Sequence, residues 1–321
     1  MKAVEPIPIE AIRAAQSRIA ESVMRTPLVR LNVDDAPAEI YLKLENLQPI
    51  GSFKLRGATN AVACASPAEL SAGVWTASAG NMAQGVAYAA RSRGLGCRVV
   101  VPDNAPQTKR DAVERLGGHI VAIPYDDWWD VILEHRYDGE TGKFVHPVSD
   151  PAVIAGNGTI GLEVLDDLPD VDAVVIPYGG GGLSSGIATA IKSLKPSVKI
   201  FASEVETAAP LAASLAAGEP RTIQHTPSFV DGIGGKSLLP EMWPLVRSLI
   251  DDSLIVSLRD TASTIRLLIE RNSVVAEGAG ATSVAAALSG RAGNGKIVCI
   301  ISGGNIDAVK LRAILDGKIP R

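Results

Sequence analysis

Lys54 lies between Phe53 and Leu55 in "ENLQPIGSFKLRGATNAV" (residues 45–62), with Gly51 and Gly57 close on either side. A lysine that only solvates a surface needs no apolar neighbours. A lysine that attacks a carbonyl does, because desolvation lowers its pKa and frees the amine. The stretch alone is equally compatible with a surface lysine at a helix start, so the rest of the chemistry has to be sought elsewhere in the chain.

Three predicted strands run into small, glycine-containing turns. "VWTASAGNMAQG" puts Ser78, Ala79, Gly80 and Asn81 after one strand. "AVVIPYGGGGLSSG" puts Gly179, Gly180, Gly181 and Gly182 after a second, and "IVCIISGGNID" puts Ser302, Gly303, Gly304 and Asn305 after a third. In parallel α/β proteins ligands gather at the carboxyl ends of strands. Where a helix follows, its free N–H groups and positive dipole end make an anion site, and glycine lets the backbone come close. Tight turns use glycine anyway, and Asn81 or Ser184 could simply cap a helix, so the first and third joints leave a structural alternative open. Four consecutive glycines cost folding entropy without packing anything, which favours a phosphate cradle at Gly179–Gly182. No joint fits a convincing dinucleotide fingerprint, and there is no P-loop. A ligand that needs a phosphate cradle, a second anion site and a reactive lysine matches pyridoxal phosphate joined to an amino acid. It carries a phosphate at one end, the substrate carboxylate at the other, and an aldehyde carbon that a lysine can capture.

The elements that would hold these groups alternate along the chain. "IEAIRAAQSRIAESV" sets Ile9, Ile12, Ile19 and Val23 near one helical face, and "EIYLKLE" alternates Ile40, Leu42 and Leu44 as a strand does. "VWTAS", "CRVVV", "HIVAI", "AVVIP", "KIFAS", "LIVS" and "IVCII" read as strands. "MAQGVAYAARSRG", "QTKRDAVERLG", "GLSSGIATAIKSLK" and "TASTIRLLIERN" read as intervening helices. The pattern predicts an α/β fold with mostly parallel sheets flanked by helices. "VHPVSDPAVIAGNG" (residues 145–158) shows turn residues and no clear regular element, and is expected to be a hinge. Trp128 and Trp129 are expected to be half-buried in helix packing rather than to form a ligand platform.

Composition narrows the function classes. The 321 residues are 46% hydrophobic and 21% charged, as in a globular protein with a large core. A net charge of −4 argues against nucleic acid or an anionic membrane as partner. Cys64, Cys97 and Cys299 are far apart and odd in number, without zinc spacing or a disulfide framework, and each is expected to be a buried thiol. "MKAVEPIPIE" lacks the apolar stretch of a signal peptide, and no apolar run reaches the ~18 residues of a membrane span. A cytoplasmic location and no bound metal are the expectations.

In their order and spacing, "TPLVRL", "LKLENLQPIGSFKLRGATNAV", "SAGNMAQGVA", "DPAVIAGNGTIGLEVL", "GGGGL", "VDGI", "AEGAGA" and "SGGN" resemble the fold-type II pyridoxal phosphate enzymes (tryptophan synthase β-like), within them the serine/threonine dehydratase and serine racemase group. The resemblance spans nearly the whole chain. It implies a large cofactor-binding domain of residues 1–70 and 150–321, a small mobile domain of residues 71–149 carrying the substrate loop, and a homo-oligomer, a dimer by analogy. It implies that Lys54 carries the cofactor as a Schiff base and later removes the α-proton. Phe53 would pack beside the pyridine ring and Asn81 would bond its 3′-oxygen. Gly179, Gly180, Gly181, Gly182 and Leu183 would bind the phosphate through their backbone, and Ser302 would face the ring nitrogen. Ser78, with Ala79, Gly80, Asn81 and Met82, would hold the substrate. The implied reaction is β-elimination from a β-hydroxy amino acid to give a 2-oxo acid and ammonia. The alternatives are an amino-acid racemase on the same scaffold and, in another class, a non-catalytic α/β ligand-binding protein; a β-replacement enzyme fits the glycine loop less well.

The sequence departs from the group's pattern at three places. Met82 stands where histidine is usual after S-x-G-N, and Val148 stands where the amide of "HPN" is usual. Both changes leave two readings open: a bulkier, more apolar substrate side chain, phenylserine for example, or a Met82 that merely packs under the loop while its backbone N–H does the usual job. Glu204 is kept where some members hold a divalent cation, but Pro210 falls where a second carboxylate is needed. The chain also ends soon after "SGGN", so the regulatory domain of biosynthetic threonine deaminases is not expected.

Overall fold

The structure is a computed structural model and describes residues 2–320. In chain order the helices are α1 (Ile9–Ile19), α2 (Lys54–Cys64), α3 (Asn81–Arg91), α4 (Gln107–Arg115), α5 (Tyr125–Glu134), α6 (Pro151–Asp167), α7 (Gly182–Leu194), α8 (Pro210–Ala217), α9 (Trp243–Leu249), α10 (Leu258–Asn272), α11 (Gly278–Leu288) and α12 (Ala308–Leu315). The strands are β1 (Leu28–Arg30), β2 (Glu39–Lys43), β3 (Val74–Ala77), β4 (Cys97–Pro102), β5 (Gly118–Ile123), β6 (Lys143–Phe144), β7 (Ala173–Pro177), β8 (Lys199–Val205), β9 (Asp252–Val256) and β10 (Lys296–Ile300). They form a six-stranded sheet in the order β1-β2-β10-β7-β8-β9 and a four-stranded sheet in the order β5-β4-β3-β6. Only the β1–β2 pair is antiparallel among these pairings.

Parallel strands covered on both faces are continuous apolar runs, and β7 has all five residues buried. Separate apolar cores fill the two faces of the six-stranded sheet, one around Ile176, Ile187 and Val298 and one around Leu42, Val175 and Cys299. A third core joins Val74, Val99 and Val86 of the four-stranded unit to Ala58, Ala61 and Val62 of α2.

Two expectations need correction. Residues 151–158 are not hinge but the start of α6: Asp150 caps it by accepting from the Ala152 N–H at 2.8 Å, and Pro151 is its first residue. Its glycines are contact points rather than breakers, since a Cβ on Gly156 would lie 2.5 Å from the Arg56 carbonyl oxygen. Cys64 is exposed because it ends α2 on the solvent side. Cys97 and Cys299 are buried, which raises both thiol pKa values, that of Cys97 to about 12. No described helix is long and apolar enough to cross a membrane.

Candidate active site

A cavity of about 670 Å³ opens where the carboxyl ends of β3, β7 and β10 converge, and all three glycine joints contribute to it. Phe53, Lys54, Ser78, Ala79, Gly80, Asn81, Met82, Gly179, Gly180, Gly181, Gly182, Leu183 and Ser302 all line it. They come from segments scattered over most of the chain, brought together by the two sheets.

Lys54 is the first residue of α2. The start of that helix is tied to the β10 joint: the Phe53 N–H donates to the Ser302 carbonyl at 3.0 Å, and Ser52 bridges to Gly303. The Lys54 amine donates to the Pro147 carbonyl at 2.7 Å and lies 5.3 Å from the Phe53 ring centre. Burial pulls its pKa down from 10.5 to about 8, against the opposing pull of the Glu277 carboxylate. The amine is therefore set up for nucleophilic and base chemistry near neutral pH.

The second joint has the shape of an anion cradle. Gly181 has φ of +99°, in the left-handed region, and stands as N-cap of α7. A Cβ on Gly180 would come within 2.5 Å of a Val148 methyl, and one on Gly182 within 2.6 Å of the Val148 carbonyl. Side chains are thus excluded, and the backbone N–H groups at the start of α7 are left facing the cavity's contents. Ser184 is buried within α7 and donates to the Gly181 carbonyl at 3.1 Å, so it does not cap the helix.

At the first joint the Gly80 N–H donates to Ser78 Oγ at 3.2 Å, and Asn81 opens α3. The Asn81 amide nitrogen donates to both carboxylate oxygens of Glu277, at 3.0 and 3.2 Å, and its oxygen accepts from Asn305 at 2.8 Å. Glu277 is the residue to which the sequence reading gave no role, although "AEGAGA" contains it. Burial raises its pKa to about 7, with the Asn81 hydrogen bond pulling the other way. Trp128 is half-buried in α5 and packed against the apolar cluster around Trp75 and Val131, as expected, and it also lines the cavity together with Tyr125, 5.8 Å away between ring centres. Val148 lines the cavity but rests its methyls against Gly180, so it also shapes the cradle. Met82 reaches the cavity while being only 1% exposed, packed in the core of the four-stranded unit.

Two further polar groups bear on cations. Glu204 is buried, and its carboxylate accepts from the N–H groups of Leu211 (2.9 Å) and Ala212 (2.8 Å) and from Ser253 Oγ (2.7 Å), which binds it to the first turn of α8. His135, His146 and Glu241 bring ligand-type atoms within 4.8 Å of one another, a grouping the sequence did not reveal. The His146 ring accepts at Nδ1 from the Ser149 N–H (2.8 Å) and the Val148 N–H (3.2 Å). Its Nε2 therefore carries the proton and donates to the Ile132 carbonyl at 3.2 Å, which takes this ring out of use as a ligand.

The comparisons agree with this geometry. The sequence pattern of the family described as "Pyridoxal-phosphate dependent enzyme" matches residues 19–303. The chain is 43% identical over 316 residues to the L-threonine ammonia-lyase of Thermotoga maritima, covering 97% of this chain and 78% of that enzyme. It is 40% identical over 317 residues to the catabolic L-threonine dehydratase TdcB of Escherichia coli K12, covering 96% of each. The solved structure of maize serine racemase superposes with a TM-score of 0.90 at 36% identity, covering 98% of both chains. With a family match over most of its length and relatives 40–43% identical along nearly the whole chain, this chain belongs to the pyridoxal-phosphate dependent enzymes.

Proposed function

We propose that the chain is a hydroxy-amino-acid ammonia-lyase that eliminates the β-hydroxyl of a threonine- or serine-type substrate and releases a 2-oxo acid and ammonia. The observation that carries the reading is Lys54, whose amine is brought to about 8 by burial and shares one cavity with the Gly179–Gly182 cradle. Bound pyridoxal phosphate supplies an aldehyde that captures the amino acid and a ring that takes up the electron pair of the broken Cα–H bond.

Every other role falls to residues of this chain. The N–H groups of Gly179, Gly180, Gly181, Gly182 and Leu183 hold the phosphate. Lys54 anchors the cofactor, and its freed amine then removes the α-proton. Ser78 and the N–H groups of Ala79, Gly80, Asn81 and Met82 hold the substrate carboxylate. Asn81 bonds the cofactor's 3′-oxygen through the same amide that donates to both oxygens of Glu277. Ser302, a neutral hydroxyl, leaves the ring nitrogen largely unprotonated, which suits prompt elimination. Phe53 packs against the ring. Residues 71–149 move as a unit relative to residues 1–70 and 150–321, and the enzyme works as a cytoplasmic homodimer. Met82 biases the cavity toward larger, more apolar β-groups such as that of phenylserine.

The racemase alternative needs an acid/base on each face of the α-carbon, and the methyl of Ala79 offers none at the position where the racemases carry a second serine. The experiment is direct. The purified chain should be yellow, borohydride should bleach it and fix the cofactor to Lys54, and 2-oxo acid should appear from a panel of β-hydroxy amino acids. A colourless chain that takes up no pyridoxal phosphate would overturn the reading.

A further inference from the structure

We propose that the buried ion cluster of Lys43, Glu45, Arg56 and Glu163 is a positioning device for Lys54. It would fix the first turn of α2 against α6 so that the amine meets its partner and the cofactor. The proposal rests on Lys54 being the cofactor lysine.

The cluster lies wholly inside the protein. Lys43 and Glu45 are 0% exposed, Arg56 1% and Glu163 4%. Arg56 bonds both carboxylates in forked fashion, Glu45 at 2.8 and 2.8 Å and Glu163 at 2.6 and 2.9 Å, and adds Thr159 at 3.0 Å. Lys43 closes the ring, 2.6 Å from Glu163 and 2.6 Å from the Thr26 carbonyl. Thr26 in turn donates to Glu45 at 2.6 Å.

Stability alone does not explain four such charges. Each ion taken from water costs several kcal/mol, and well-packed apolar residues of similar volume often do as well or better. What the cluster adds is geometry. Arg56 follows Lys54 by two residues on α2. Glu163 lies on α6, and Pro147 lies in the segment that leads into α6. The Arg56–Glu163 pair therefore joins the same two stretches as the Lys54–Pro147 hydrogen bond. Between them α2 and α6 touch backbone to backbone at Gly156, where no Cβ fits. A sliding of α2 along α6 would break both contacts together.

Two variants test the idea: Glu163→Gln, which keeps the shape and removes one charge, and Lys43→Met combined with Glu163→Gln, which removes one charge of each sign and leaves the Arg56–Glu45 pair. Each is compared with wild type in kcat, in KM and in the pH titration of the cofactor's visible band. The double variant should bind cofactor and melt within a few degrees of wild type. Its kcat should fall about ten- to hundredfold, as expected of a small misplacement at a reacting group, with KM changed less than threefold and the band's titration midpoint displaced. Wild-type kcat and an unmoved titration in a folded variant would overturn the proposal, as would failure of both variants to fold, which would assign the cluster to the fold itself. A wild-type chain with no borohydride-sensitive band would instead mean that the cofactor reading has failed.

Discussion

Asn81 and Glu277, one at the end of the four-stranded sheet and one before α11, are joined by two hydrogen bonds of 3.0 and 3.2 Å across the cavity wall. This contact ties the loop after β3 to the segment that leads into α11 and gives a buried carboxyl a hydrogen-bond donor, the amide of Asn81, beside the backbone N–H of Asn305. Burial lifts the Glu277 pKa from 4.5 to about 7. The folded chain thus keeps this proton as pH rises past 4.5 while the unfolded chain gives it up. Stability from this group is full below about 4.5 and is lost as pH rises through about 7, a change of roughly 3 kcal/mol. Glu277→Gln has no such proton. With the cofactor removed, its stability relative to wild type should grow by that amount between pH 4.5 and 8, measured by denaturant unfolding. A difference that is flat with pH would contradict the assignment.

Lys54→Ala should abolish turnover and leave the fold intact. Losing the nucleophile and the base together should cost more than the ~10²–10⁴ of acid–base catalysis alone. The test is single-turnover and steady-state formation of 2-oxo acid, with circular dichroism for the fold. A variant that still eliminates near the normal rate without added amine would rule Lys54 out.

Elimination should dominate over racemisation. Ala79 lines the cavity and offers only a methyl group. Chiral chromatography of serine incubated in deuterated water should show 2-oxo acid and little inverted serine. Ala79→Ser is expected to introduce measurable inversion. Rapid inversion by the wild type would show that another group serves the second face.

Divalent cations should matter little at Glu204. Its carboxylate is already engaged by three donors, and Pro210, at the start of α8, brings no oxygen side chain. Activity should survive exhaustive chelation within about twofold, since none of the roles assigned above draws on a hard cation. Strong loss in chelator, restored by magnesium or calcium, would refute this.

Met82→His should lower kcat/KM for phenylserine relative to serine and 3-hydroxyaspartate. An apolar wall is worth only ~1–3 kcal/mol of preference, so threonine and serine remain substrates in either form. Met82 is buried in the core of its unit as well as reaching the cavity, so thermal melts should accompany the kinetics. A wild-type preference for serine that the substitution does not move would defeat the proposal.

The strands were legible because buried parallel strands are unbroken apolar runs, and β7 and β10 are such runs. Helices with one wet face were legible by their period, as in α1 and α10. The first part of α6 was not, because Val153 to Val164 are all buried and an all-round buried helix shows no polar stripe. The glycine joints and Lys54 stood out as local patterns. Glu277 did not, because its partner Asn81 is 196 residues away in sequence. That Trp128 also lines the cavity was not legible for a related reason: a half-buried ring has the same sequence signature whether it leans on a core alone or on a core and a cavity.

The acceptor that holds the Lys54 amine is a main-chain oxygen, that of Pro147. Every amino acid carries that atom, so no coding change at position 147 can delete it. Mutational sensitivity should fall instead on what sets the path of the chain there. Proline restricts the residue before it to extended backbone, and His146 pins the following turn by accepting from the Val148 and Ser149 N–H groups. A library covering residues 146–149 should therefore tolerate side-chain chemistry at 147 that leaves the bend unchanged, while losing function when His146 loses its acceptor nitrogen.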